Sequence, residues 1–202
     1  MATIHLSPTG DDANDGLSEL NPWKSPNKLS NFAFQPGDAI HLQGGAVFPG
    51  WINWFWKDIR DVSLGSYGAG RPAIASPLNT PALFYGGPGG IAIEGIDFWG
   101  TCPAPGVSGL LLSGDSGPCA NLRFTDLDVS GYTLGGIEIT GQEGFLVRDV
   151  RIERCRFHPN ARGTQLQGMV GLAILETAAS EGGWVSAPTE ADVHAEWLAR
   201  DI

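Results

Sequence analysis

The chain has 202 residues, with 29 Gly, 14 Pro, three Cys and a formal net charge of −10, and its twelve basic residues are three Lys and nine Arg. That balance excludes general attraction to nucleic acid or to an anionic membrane. No run of about 18 apolar residues is present to insert as a membrane-spanning helix, and three Cys do not make a disulfide framework. The Gly and Pro are spread along the chain, which predicts frequent turns within one domain and no linker.

Residues 1–50 open with a strand, Thr3-Ile-His-Leu6, and a polar turn from Ser7 to Gly16. Within that turn the run 10–16 reads either as a loose calcium loop or as a solvated turn; it lacks the closing Glu of the helix-loop-helix motif. A short helix is expected after Pro26 and up to Phe34, because proline interrupts a helix it does not begin. The turn Gln35-Pro-Gly-Asp38 leads into a second strand, Ala39-Ile-His-Leu42. His5 and His41 sit beside inward apolar positions and are expected to face solvent. The aromatic stretch Trp51-Ile-Asn-Trp-Phe-Trp56 follows. Alternation places Trp54 and Trp56 on one side and Trp51 opposite, so the pair is a candidate sugar-stacking platform, or the stretch is partly buried.

Three later stretches share one apolar pattern. Ile91-Ala-Ile93-Glu-Gly-Ile96-Asp-Phe98, Leu122-Arg-Phe124-Thr-Asp-Leu127-Asp-Val129 and Val150-Arg-Ile152-Glu-Arg-Cys155-Arg-Phe157 each read apolar, any, apolar, two turn residues, apolar, any, apolar. That is two short strands around a tight bend, with alternate residues facing inward. A second unit recurs as Leu83-Phe-Tyr85, Leu110-Leu-Leu112, Ile137-Glu-Ile139 and, less cleanly, Leu172-Ala-Ile174, at spacings of 27, 27 and 35 residues. Strand-only repeats of this period predict an all-β parallel β-helix, a solenoid with one coil per repeat. The expected single domain has a cap and first coil at 1–50, further coils at 51–185 and a capping helix at 187–201. Thr189 is that helix's N-cap, with Asp192 three residues on.

Stacking the three copies in register creates outward columns: Asp97, Asp128, Arg156; Ala92, Arg123, Arg151; and, at the bend, Gly95, Asp126, Arg154. With Arg148 and Arg162 nearby, the arginines form the one basic cluster of an acidic chain. It reads as a surface charge ladder or as a surface for substrate carboxylates, to which guanidinium forks are matched. Asp97 above Asp128 places two carboxylates together, which calls for a cation such as calcium or for one raised pKa. No cofactor is certain; calcium is a candidate. Cys155 is inward and reads as a small core residue, while Cys102 and Cys119 lie on neighbouring coils and pair only in an oxidising compartment. Gly114-Asp-Ser-Gly117 matches a serine-nucleophile string over four residues, but a turn between coils explains it better.

SPTGDDANDGLSELNPWKS at 7–25, FQPGDAIHLQGG at 34–45 and VSLGSYGAGRPAIAS at 62–76 resemble the N-terminal segment of secreted right-handed parallel β-helix proteins, the pectate-lyase-like and alginate-lyase-like group. The resemblance covers about the first 76 residues. It implies a right-handed coil, a cap over the open end of the column, a polysaccharide partner and an extracellular or cell-surface location, although no signal peptide is visible at Met1. It carries over no catalytic residue, because the group's catalytic motifs are not visible. Joined to the basic cluster, it implies a protein that binds or cleaves an acidic polysaccharide by β-elimination. Arg151, Arg154 or Arg156 would neutralise the uronate and His158 would assist proton transfer. Arg123, Arg148, Trp54 and Trp56 are then the candidate binding residues, and Asp97 and Asp128 the candidate metal ligands. The alternative is a non-catalytic surface, adhesin or phage-tail-like module. No oligomeric state follows from the pattern.

Overall fold

Each coil of the chain contributes three short strands, and equivalent strands of successive coils pair side by side, always in parallel. The computed structural model describes residues 1–100, 106–114, 117–140 and 147–157 in full, and the strands Arg162–Gln167, Val170–Leu175, Ala178–Ala179 and Val185–Ser186 by their backbone. The first sheet stacks Thr3–Leu6, Ala39–Gln43, Ser63–Tyr67, Ala92–Glu94, Cys119–Thr125, Val147–Glu153 and Val170–Leu175. The second stacks Val47–Pro49, Ala73–Ala75, Asp97–Trp99, Asp128–Ser130, Arg156–Phe157 and Ala178–Ala179. The third stacks Ile52–Trp54, Leu83–Tyr85, Leu110–Ser113, Gly135–Thr140, Arg162–Gln167 and Val185–Ser186. The chain is therefore an all-β, three-sided parallel β-helix. Among the described residues the one helix is a 3-10 helix, Pro26–Asn31.

The expected stacking is present. Phe124 pairs with Ile93 below and Ile152 above, and all three are buried in one interior row that continues downward through Leu64, Ile40 and Ile4. Burying each such side chain contributes about 1.5–3 kcal/mol. One repeat belongs to a different ladder from the one its pattern predicts. Leu172 and Ile174 pair with Val150 and Ile152 in the first sheet, and the next layer over Ile137 and Ile139 is Thr164 and Leu166. Thr164 hid that layer, since a polar residue stands where the pattern calls for an apolar one.

The cap also departs in detail from expectation. The 3-10 helix begins on Pro26 itself, the position where a missing N–H costs nothing and the fixed φ is already helical. It covers the edge of the first coil: Asn27 Oδ1 accepts from the Trp51 N–H and Ser30 Oγ from the Asn53 N–H. The acidic turn closes on itself. Asp12 accepts from the N–H groups of Lys24 and Ser25, and Asp11 and Asp15 each cap the N–H two residues on.

Two vertical ladders of left-handed residues turn the corners. Asp61 and Gly90, just before their first-sheet strands, and Asn121 and Asp149, inside theirs, share one; Gly95, Asp126 and Arg154 share the other, at the bend between the first and second sheets. Gly, Asn and Asp tolerate this conformation best, so the corner positions are legible in composition once the register is known. Arg154 is the exception.

Candidate functional site

Alternation turns every second residue of a strand outward, so the register decides which side chains share a surface. On the first sheet Ala92, Arg123 and Arg151 form the expected column. Both long side chains are engaged. Arg123 grips Asp149 with Nη2 at 2.9 and 2.8 Å from its two carboxylate oxygens, and its Nη1 lies 2.7 Å from the Asp149 carbonyl. Arg151 pairs with Glu153 of its own strand. Arg148 and Arg154 are exposed and carry no ion pair among the described residues.

On the second sheet Asp97, Asp128 and Arg156 stack in order. The charge that balances Asp97 comes from a residue absent from the sequence-based site, Arg71. Its Nε lies 2.8 Å from Asp97 Oδ1, and its two Nη atoms each lie 2.7 Å from an Asp126 oxygen, one carboxylate and one carbonyl. Burial works against a charged Arg71, but its hydrogen bonds and the charges of Asp97 and Asp126 raise its pKa. The crowding of Asp97 on Asp128 is thus met by a guanidinium at Asp97, and Arg156 stands 4.0 Å from Asp128. No group of three His, Cys, Asp or Glu able to hold a metal occurs among the described residues. His158 lies outside the described residues, as do the Asp115-Ser116 pair, Cys102 and the expected C-terminal helix. Cys119 is a buried free thiol, its pKa pushed up by burial to about 11, and Cys155 is likewise buried and free.

The aromatic stretch divides. Trp54 is fully buried, so it is not a binding residue: its indole N–H donates to the Leu29 carbonyl at 3.1 Å. Its ring is one link in an edge-to-face chain, Trp23–Phe32–Phe34–Trp54–Tyr85, that ties the cap to the column. Trp54 is third in its strand and alternates inward; Trp56 lies beyond the strand end, where the period of two no longer applies. Trp56 is 71% exposed and sits at φ +59°. It borders an open cleft of about 330 Å³ with Lys57, Asp58, Gly86, Gly87, Pro88, Gly117 and Pro118. These residues belong to the connections between the third and first sheets on successive coils. The floor is rigid. Phe55 stacks on Phe84 at 4.2 Å with 11° between planes, and a Cβ on Gly86 would lie 2.7 Å from the Phe55 ring. The Tyr85 hydroxyl donates to the Ile59 carbonyl and accepts from the Gly89 N–H, which pins the base of the loop. Asp58 is held by Arg60.

A column of this kind is shared with known proteins. No family model matches the chain. A lacto-N-biosidase of Bifidobacterium longum subsp. longum is 38% identical over 80 residues, 33% of this chain and 5% of that protein. The native GH136 lacto-N-biosidase from Eubacterium ramulus superposes with a TM-score of 0.66 at 19% identity, over 82% of this chain and 36% of that one. Its selenomethionine derivative gives 0.65. The chain has the parallel β-helix fold of that enzyme. At 19% identity the likeness fixes the column and no site residue, and the chain spans 36% of the solved relative's length and 5% of the curated one's.

Three residues of these surfaces escaped the sequence reading. Arg71 and Asp58 lie outside the repeats, with no register to align them. Trp99 had a signal: it follows inward Phe98 and therefore falls at an outward position, where a large apolar side chain is unexpected.

Proposed function

We propose that this parallel β-helix is a carbohydrate-active protein that holds a saccharide in the cleft beside Trp56. The observation that carries the reading is an exposed indole, kept in a left-handed backbone conformation, at the wall of a glycine- and proline-floored cleft with Lys57 and Asp58 beside it. A non-glycine residue in that conformation costs about 1–3 kcal/mol, and such strain concentrates at functional sites. Flat rings cover sugar faces, while the carboxylate and ammonium groups hydrogen-bond hydroxyls and fix orientation. Similarity to two proteins named lacto-N-biosidases supports a glycan ligand. Calorimetric titration of the parent and Trp56→Ala with chitotetraose, cellotetraose and tetragalacturonate tests it. Binding of at least one sugar that weakens tenfold or more in Trp56→Ala is expected; equal binding by both proteins rejects the cleft.

A second reading, cleavage of an acidic polysaccharide by β-elimination, is favoured by the exposed Arg148 and Arg154 without ion pairs among the described residues, next to the loosely held Arg156. A uronate carboxylate would be neutralised there, with calcium as a candidate aid. Formation of unsaturated uronate from pectate or alginate, lost in Arg154→Ala, supports it. No product from any polymer, with sugar binding retained, leaves a non-catalytic glycan-binding module.

A further inference from the structure

The outward face of the second sheet carries a feature that neither reading uses. Trp99 ends the strand Asp97–Trp99, with Phe98 turned into the core and the indole turned out, 40% exposed. Its in-register neighbours are small: Ala75 on the coil below and Ser130 on the coil above. No long side chain at those two positions flanks the ring. On the same face, two residues back along each strand, stand Asp97 and Asp128 in register. Arg71 fixes Asp97 by a 2.8 Å hydrogen bond and is itself anchored on Asp126, so the polar groups beside the indole are held before any ligand arrives.

We propose that this face is a second saccharide-binding surface, distinct from the Trp56 cleft and specific for uncharged sugars. A ring lying flat on Trp99 has the Asp97 carboxylate about 7 Å away along the strand and the next strand about 4.8 Å to the side. Its hydroxyls can therefore donate to Asp97 and Asp128, while its apolar face covers the indole. The rigid sheet supplies the positioning, so little side-chain freedom is lost on binding. The charge census sets the specificity. Among the described residues, the charged groups two residues back along the strands beside Trp99 are the carboxylates Asp97 and Asp128; Arg71 is already bound to Asp97 and Asp126, Arg156 faces Asp128, and Arg154 lies round the corner beside Asp126. A uronate would meet these two carboxylates beside the indole, whereas a neutral sugar offers the donors that carboxylates accept.

Calorimetry on the parent, Trp56→Ala, Trp99→Ala and Trp99→Phe tests the assignment, with chitotetraose and cellotetraose as neutral probes and tetragalacturonate as the acidic one. A neutral probe is expected to bind a site that survives in Trp56→Ala, weakens at least tenfold in Trp99→Ala and is largely restored in Trp99→Phe. Trp99 is half-exposed, and thermal melts confirm that each variant is folded. Three results overturn the proposal: Trp99→Ala binding every probe like the parent, a preference for tetragalacturonate at the Trp99-dependent site, or a loss of self-association by sedimentation in Trp99→Ala, which would make the face an interface between copies. Failure at Trp56 alone rejects the cleft and leaves this surface standing.

Discussion

Arg123 reaches up one coil to clasp Asp149, holding both carboxylate oxygens and the backbone carbonyl of a residue whose φ is +53°. The contact therefore does two things: it pairs charges between coils and it steadies a left-handed corner. Exposed pairs are worth about 0.2–1 kcal/mol, so Arg123→Gln is expected to lower unfolding free energy by no more than about 1 kcal/mol. Asp149→Ala loses the same pair and also puts a side chain without local hydrogen bonding into the left-handed region, adding about 1–2 kcal/mol. Urea unfolding of the two variants checks this. Equal losses would show that the corner carries no strain.

Trp54 and Trp56 are two residues apart and opposite in consequence. Trp54→Ala removes a fully buried ring from the chain that joins cap to column, together with its hydrogen bond to the Leu29 carbonyl, so a loss of about 3–5 kcal/mol is expected. Trp56→Ala removes a mostly exposed ring, and its stability change is expected within about 0.5 kcal/mol. Thermal melts of both, beside the sugar titrations, separate a structural tryptophan from a binding one. A Trp54→Ala protein as stable as the parent would contradict its burial.

The column was legible because its signal is periodic: Ile93, Phe124 and Ile152 repeat with their flanking pattern, and stacking needs only that one row be in register. Arg123 and Arg151 on one column, and Asp97 beneath Asp128 and Arg156 on another, followed directly. The partners of those charges did not, because Asp149 sits before its strand's core pair and Arg71 in a turn, where no repeat aligns them. Trp54 was misplaced for a related reason. Alternation holds within Ile52–Trp54 and ends there, so extending it to Trp56 joined a buried ring to an exposed one.

His41 meets His5 edge to face with ring centres 5.8 Å apart, and His5 in turn meets Tyr67, with Glu19 nearby. Burial first, then the proximity of His5, lowers the His41 pKa below 6.5, with Glu19 opposing. In the unfolded chain His41 takes up its proton near the ordinary value, so between the two pKa values the unfolded state binds more protons. Stability from this residue is therefore full above pH 6.5 and is lost as pH falls through the lowered pKa. Urea midpoints at about pH 7.5 and about pH 5.5 should differ less in His41→Gln than in the parent. An unchanged difference would mean that other groups carry the acid dependence.

Two glycines at left-handed corners separate backbone strain from contact between coils. Gly95 has φ +67°, and a Cβ placed on it would meet nothing within 4 Å. Gly90 has φ +72°, and a Cβ there would fall 2.1 Å from Asp61 Oδ1 and 2.6 Å from the Asp61 backbone nitrogen on the coil below. Gly95→Ala should cost only the conformational penalty, about 1–2 kcal/mol. Gly90→Ala carries the same penalty plus a collision with a neighbouring main chain that parallel pairing holds in place, so its cost should exceed that of Gly95→Ala by at least about 1 kcal/mol. The Asp61 carboxylate can rotate away but its nitrogen cannot; in an Asp61→Gly background, which removes the carboxylate without straining the left-handed position 61, Gly90→Ala should still cost more than Gly95→Ala. Equal unfolding free energies for the two single variants would show that adjacent coils at this corner are further apart than the structure places them.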